Sequence, residues 1–233
     1  MMTTHALVRP QPIGILDGVA GLLLVPDGDG VADLLDELAS GRLPRHWPAA
    51  AATLAAAHAG DIDAALASLG DSPDDAVNRL VLAPTPEHLT AARAAAGDDP
   101  LRGAVVSAAA YASGLDDQPP SADGLDAEFA VLALTVRAAR AVEFKDSPGA
   151  IRALRDAIDH AAAVGPALHG RVLGMLAEHR FRRQNSPEGS LELYDEAIAV
   201  LTDTDFDELR AGLQLERGIA LHQLADGQRH RLI

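Results

Sequence analysis

The chain has 233 residues, a net charge of −15 at neutral pH and no cysteine. The absence of cysteine excludes disulfides, thiolate metal sites and cysteine nucleophiles. The shortage of cations argues against nucleic acid as a partner, because phosphate affinity comes from Lys and Arg neutralising charge. Apolar residues make up 48% and aromatic residues only 3%, so the chain should fold, through many thin alanine contacts between helices.

Residues 1–12 read as a flexible start. The longest apolar run, Ile13–Val25, holds 13 residues and contains Asp17, which is too short for a membrane span. It follows Pro10 and Pro12, and no small-residue cleavage site comes after it, so it does not read as a signal peptide. The expectation is a cytoplasmic protein with no membrane partner. A strand or buried turn is expected only within 13–25. Pro26 to Gly30 breaks regular structure, Val31–Ala39 reads as a short helix with Leu34, Leu35 and Leu38 on one face, and 41–48 is a connection. Residues 1–47 therefore form an irregular N-terminal segment.

Residues 48–113 read as an alanine-rich helical region with one degenerate hairpin. Pro48 opens a long helix that ends near Gly60-Asp61, and Ile62–Leu69 returns from that turn. Asp75–Leu82, Pro86–Ala96 and Leu101–Ser113 follow, each bounded by Pro, Gly or Asp. Residues 114–124, with Pro119-Pro120, are a linker. The charge is uneven: 1–125 is net −11 and 126–233 net −4. Lys145 is the only lysine, and heavy Ala, Arg, Asp and Gly use points to a GC-rich bacterial genome.

From 125 to 233 the pattern is regular. Helices are expected over Asp126–Phe144, Gly149–Val164, Pro166–Arg183, Pro187–Leu201 and Glu208–Leu224. Ser147-Pro148 and Ser186-Pro187 each place a cap before a proline at the first helical position. Arg137-Ala138 and Arg217-Gly218 lie 80 residues apart, and Ala157 and Ala197 lie 40 apart. A fixed period of this size means stacked helical hairpins.

The second-helix pattern is Ala150-Ile151, Leu154, Ala157-Ile158, and again Gly189-Ser190-Leu191, Tyr194, Ala197-Ile198. Leu134, Ala138 and Ala141 belong to a first helix, as do Gly218 and Leu221. Gly60-Asp61 with Ala65-Leu66 and Leu69 is a shortened earlier copy. These residues resemble the tetratricopeptide-repeat superfamily in its long, 40-residue form, found in bacterial multidomain regulators and adaptors. The resemblance covers 126–224 and, less closely, 48–70. It implies an all-α, right-handed stack of antiparallel helix hairpins, an α-solenoid, with an irregular N-terminal cap. It also implies a scaffold or adaptor that binds a protein or peptide on its concave face. At 178, where a small residue belongs, the chain has Glu, so either Ala177 takes the place with a one-residue slip or the repeat is irregular.

By repeat spacing the concave wall holds Thr135, Ala139 and Val142, then Met175, His179 and Arg182, then Leu215, Ile219 and His222. Such a wall suits an amphipathic helix or extended peptide carrying some acid. Arg171, His179, Arg180, Arg182 and Arg183 form one basic cluster. It either complements a helix C-terminus or makes a carboxylate pocket, for which Asn185 is the only asparagine nearby.

Asp27-Gly28-Asp29-Gly30 reads as a turn and helix cap, because aligning Gly30 with the calcium-loop glycine puts Val25 where an acid is needed. His160, His169 and His179 lack metal-ligand spacing. No nucleophile elbow or phosphate loop occurs, and Asp156 with Asp159 reads as a solvated face. No catalytic residue, cofactor or metal is expected. The alternative reading is a ligand- or peptide-sensing module of a larger regulator, which needs a closed pocket of about 300–1,000 Å³ with convergent Arg and His. Finally, a last helix without its partner would expose Leu213, Leu215, Ile219, Leu221 and Leu224. That predicts self-association through this face, or a longer repeat protein.

Overall fold

The computed structural model describes residues 4–6, 22–39, 44–184, 186–204 and 206–230. Most of the apolar run, residues 13–21, lies outside them, as do 41–43 of the first connection and Asn185. Among the described residues the chain is all-α apart from two short strands, β1 (Thr4–Ala6) and β2 (Leu24–Pro26), paired antiparallel with His5 opposite Val25. Thr4–Ala6 is thus a strand where a flexible start was expected. Leu23, Leu24 and Val25 are buried, and the other edge of β2 is closed by a side chain. The Leu24 N–H donates to Asn78 Oδ1 at 2.7 Å, and Asn78 Nδ2 donates to the Leu24 carbonyl at 2.8 Å. Buried Asn78 thereby replaces a strand partner for backbone groups that water cannot reach.

The Asp27–Gly30 segment turns, with the Val31 N–H on the Gly28 carbonyl at 3.1 Å, into α1 (Val31–Ala39). Val31, Leu34 and Leu35 of α1 are buried; the Leu38 side chain lies outside the described set. The long helix expected from Pro48 is shorter. Pro48 offers no capping side chain, and the chain opens with a tight turn over Ala49–Ala51, closed by the Ala51 N–H on the Pro48 carbonyl at 2.9 Å. Then come α2 (Ala52–His58) and α3 (Ile62–Ala67), the latter capped by Asp61.

Helix α4 (Pro73–Leu82) starts two residues before the expected Asp75. The reason is a capping box: Asp75 N–H donates to Ser72 Oγ at 3.1 Å, and Ser72 N–H to Asp75 Oδ2 at 3.1 Å. Helices α5 (Pro86–Ala96) and α6 (Pro100–Ser113) carry Thr85 and Asp99 as caps. Arg102 binds α6 to α4, donating from Nε to Asp74 at 2.7 Å, and donates from Nη1 to Asp99 at 3.0 Å.

Residues 114–126 carry no helix but are fastened to their surroundings. Asp116 pairs with Arg93 of α5, Pro120 is buried, and Leu115 packs on the core. That core joins β2, α1 and α2 through α6 to Leu132 and Val136 of the next helix, α7 (Ala127–Glu143).

Four more helices follow: α8 (Ser147–Val164), α9 (Pro166–Gln184), α10 (Pro187–Val200) and α11 (Asp207–His230). The cap of α8 is Asp146, which accepts from the Gly149 N–H at 2.9 Å, and not Ser147 as its Ser-Pro sequence predicts. From α7 onward each helix packs on the next, and α9 also touches α11. One buried cluster joins α7, α8 and α9; another joins α9, α10 and α11.

The 40-residue period holds for the second helices. Ala150 and Ser190, Leu154 and Tyr194, Ala157 and Ala197, Ala161 and Leu201 are each 40 residues apart, and all are buried. First helices drift. Ala138 corresponds to Ala177, 39 residues on, so Ala177 takes the small position and Glu178 faces solvent. Leu168, Val172 and His179 correspond to Leu209, Leu213 and Ala220, all 41 residues on and all buried. The two offsets sum to 80, so Gly218 holds the place of Ala138 and Ala177 but, unlike them, is exposed.

Close approach fixes this drift. A Cβ on Gly174 would lie 2.5 Å from Leu213 Cδ2, and one on Gly170 3.0 Å from Leu201 Cγ. A Cβ on Gly218 would meet nothing within 4 Å. Gly174→Val should therefore destabilise the fold by about 1–3 kcal/mol through overpacking, while Gly218→Ala should stabilise it by about 0.5–1 kcal/mol; urea denaturation of both variants checks the pair. Asn78→Ala should cost about 2–3 kcal/mol by stranding the Leu24 amide and carbonyl, with hydrogen exchange at Leu24 rising first.

Candidate functional site

Helix α9 carries most of the groups that sequence spacing assigned to the groove, and it splits them. His179 is 7% exposed and shares a 2.8 Å hydrogen bond, through Nε2, with Ser147 Oγ at the start of α8. Ser147 can reach it because Asp146, not Ser147, caps that helix. Burial, and secondly the charge of Arg183, hold the His179 pKa below its ordinary value, so the imidazole is neutral. A Ser–His pair resembles a nucleophile and base, which in a full triad are joined by a carboxylate that orients the imidazole and stabilises the imidazolium. Here the neighbouring charge is a guanidinium, which opposes it. The pair ties α8 to α9.

Arg182 turns the other way. It pairs with Glu178 at 3.0 Å on its own helix and with Glu216 of α11 at 3.1 Å. Arg180 instead donates to the Gly189 carbonyl at 3.3 Å, at the start of α10. The basic cluster read from sequence is thus spread over three directions. Tyr194 of α10 is buried, and its hydroxyl has no hydrogen-bond partner. Burial first, then the Glu216 and Glu178 carboxylates, raise its pKa, so it stays protonated. Met175 packs with Ala138, Ala153 and Leu154, on the α7–α8 side.

On α7, Thr135 spends its hydroxyl on the Val131 carbonyl of its own helix at 2.8 Å. Val142 is half-buried and Ala139 is exposed. On α11, Leu215 is 66% exposed, Ile219 38% and Leu221 40%, and His222 is exposed. Leu213, expected to be exposed, is buried against α9 where Gly174 leaves it room; Leu224 is half-buried. Of the nine groove positions, the structure thus leaves Ala139, Arg182, Leu215, Ile219 and His222 exposed. Arg182 bridges two of the three helices, α9 and α11.

Sequence reasoning missed two features. Glu178 and Glu216 complete the Arg182 network, and a partner 34 residues away leaves no local trace. Arg140 lies with its guanidinium carbon 4.6 Å from the Phe144 ring centroid and 5.7 Å from that of Tyr111 on α6. The Arg140–Phe144 half has i, i+4 spacing and was legible as a pair; the Tyr111 half was not. Phe144 is 69% exposed, the most exposed large apolar side chain among the described residues.

A cleft of about 280 Å³ opens between α6, the 114–126 segment and α7. Its polar lining is Ser107, Ser121 and Asp123. Neither Arg nor His, the convergent groups expected of a ligand- or peptide-sensing pocket, lines it. Among the described residues no group of three His, Asp or Glu side chains is placed to hold a metal ion, and no helix is long and apolar enough to cross a membrane. The fold and site define a class, an all-α chain of consecutively stacked helices with apolar side chains exposed on its last helix. No family model, curated protein or solved structure matches the chain.

As pH falls, His179 should make the fold less stable. Its folded-state pKa is depressed, so the unfolded chain takes up the proton first. Its contribution is fully present above the unfolded value near 6.5 and is lost progressively as pH drops below it. Urea denaturation at pH 8 and pH 5 should show a smaller loss for His179→Gln than for the parent chain.

Proposed function

We propose that the chain is a tetratricopeptide-repeat-like scaffold or adaptor, a right-handed stack that binds a protein or peptide on the side formed by α7, α9 and α11. The observation that carries this reading is the direct contact of α9 with α11 over a shared buried cluster that also holds α10. In a stack of hairpins, first helices meet in this way and line one common side. Ala139, Glu178 and Arg182 are exposed on α7 and α9, which gives that side a mixed apolar and charged character. The Arg182 network makes it polar at α9, so an extended segment able to exchange hydrogen bonds with Arg182, Glu178 and Glu216 fits better than a purely apolar helix.

Photo-crosslinking tests this. A benzophenone residue placed at Ala139 or at Glu178 should crosslink one and the same partner in cells, while the same residue at Glu196, exposed on α10, should not. Equal crosslinking at all three positions, or none at Ala139 and Glu178, would contradict the reading.

A further inference from the structure

We propose that the seam between α9 and α11 at Tyr194 is a receptor for one arginine side chain of the partner segment, a place that Arg182 fills until the partner arrives. The inference deepens the groove reading above and rests on it for the segment that carries the arginine.

Charges and an orphan hydroxyl meet at this seam. Arg182 Nε pairs with Glu178 at 3.0 Å, and its Nη2 donates to the two Glu216 oxygens at 3.2 and 3.1 Å. Two carboxylates thus share one guanidinium, which leaves a negative charge in excess. Tyr194 reaches the same place from α10, within the buried cluster that joins α9, α10 and α11. Its hydroxyl is buried and has no hydrogen-bond partner. After burial, Glu216 and Glu178 act to raise its pKa, and Arg182 opposes them with the smallest effect. The potential at the hydroxyl is therefore negative even with Arg182 in place, and a cation is what the seam favours. An anion would meet two carboxylates.

This polarity is local to one level of the stack. At the offsets of 40, 39 and 41 residues that relate the helices, Tyr194, Glu178 and Glu216 correspond to Leu154, Ala139 and Met175. None of these carries a charge or a hydroxyl. Stacking therefore proceeds one level earlier without the groups found here. A hydroxyl buried without a partner weakens a fold, and recognition gives this one a use.

A guanidinium suits the seam better than an ammonium. Its planar fork of N–H donors can engage a carboxylate through two bonds, and a remaining N–H can be accepted by the Tyr194 oxygen. Arg182 makes no such bond to Tyr194, so the incoming arginine gains a contact that the resident one lacks. Arg182 is half exposed, and exposed ion pairs contribute little net stability, so its head can move into water with little loss.

The probe is the acetylated and amidated peptide Gly-Ser-Arg-Ser-Gly, titrated against the full chain and followed by NMR chemical shifts. Saturable binding is expected, and the same peptide with citrulline for arginine should bind about tenfold more weakly or worse. Arg182→Ala should tighten binding by about threefold or more, because the resident competitor is gone. Glu216→Gln should weaken it by about tenfold, and Glu178→Gln, whose carboxylate is half exposed, by about threefold. Tyr194→Phe should weaken it by about threefold while melting no earlier than the parent, since the hydroxyl it removes has no partner. Glu196→Gln makes the same change of charge at an exposed place on α10 and should have no effect. Absence of saturable binding to the Arg182→Ala chain overturns the proposal, as does weaker binding by that variant, equal binding of the citrulline peptide, or binding that Tyr194→Phe leaves unchanged. Equal losses at Glu196 and Glu216 would mean general attraction to an acidic chain and overturn it too. Failure here with successful crosslinking at Ala139 removes the arginine receptor alone and leaves the groove reading standing.

Discussion

How closely other helices can approach α9 decides the rest of the structure. Gly170, Gly174 and Ala177 lie on α9 where α10 and α11 arrive; a Cβ at Gly174 would collide with Leu213, and one at Gly170 would press on Leu201. Where contact is this close, dispersion over many atom pairs offsets the small area that each alanine buries. A chain with 3% aromatic residues has few large side chains to fill gaps, so it closes them by bringing backbones together. Two of its large residues, Leu201 and Leu213, sit where glycines face them.

The N-terminal half uses another device. Helices α3 to α6 are short and individually capped, by Asp61, Ser72, Thr85 and Asp99, and polar side chains tie this half together. Asn78 completes β2, and Arg102 holds α6 to α4. Leu132 and Val136 of α7 close the same core. The first helix of the regular stack is thereby also the last wall of the irregular half, and Arg140, between Tyr111 and Phe144, reinforces that junction.

Much of this was legible in the sequence because caps and breakers act locally. Val31–Ala39 and Pro86–Ala96 match their expected bounds, and Gly165 stops α8 as read. The second-helix period was legible because Ala157 and Ala197 differ from their surroundings only by position in a repeat. First helices were harder to place, because alanine occurs at so many positions that Ala177 and Glu178 compete for one slot. Three-dimensional contact alone separates them, and one residue of slip turns a groove position into a packing position. His179 shows the result: spacing put it on the wall, and the structure turns it to Ser147. The strand at Thr4–Ala6 was illegible because its partner comes from β2 and the other edge of β2 is closed by Asn78, 54 residues from Leu24.

The central claim is that α9 receives α11 through the gap at Gly174. The chain contains no cysteine, so an engineered pair reports on that contact without interference. Gly174→Cys combined with Leu213→Cys brings two thiols into a gap where a Cβ at 174 lies 2.5 Å from the present Leu213 Cδ2. Disulfide geometry needs Cβ atoms about 3.5–4.5 Å apart. The account predicts rapid, near-complete intramolecular disulfide formation under mild oxidation, and little when Glu178→Cys replaces Gly174→Cys. Free thiols at 174 and 213, with bridging instead from position 178, would contradict it.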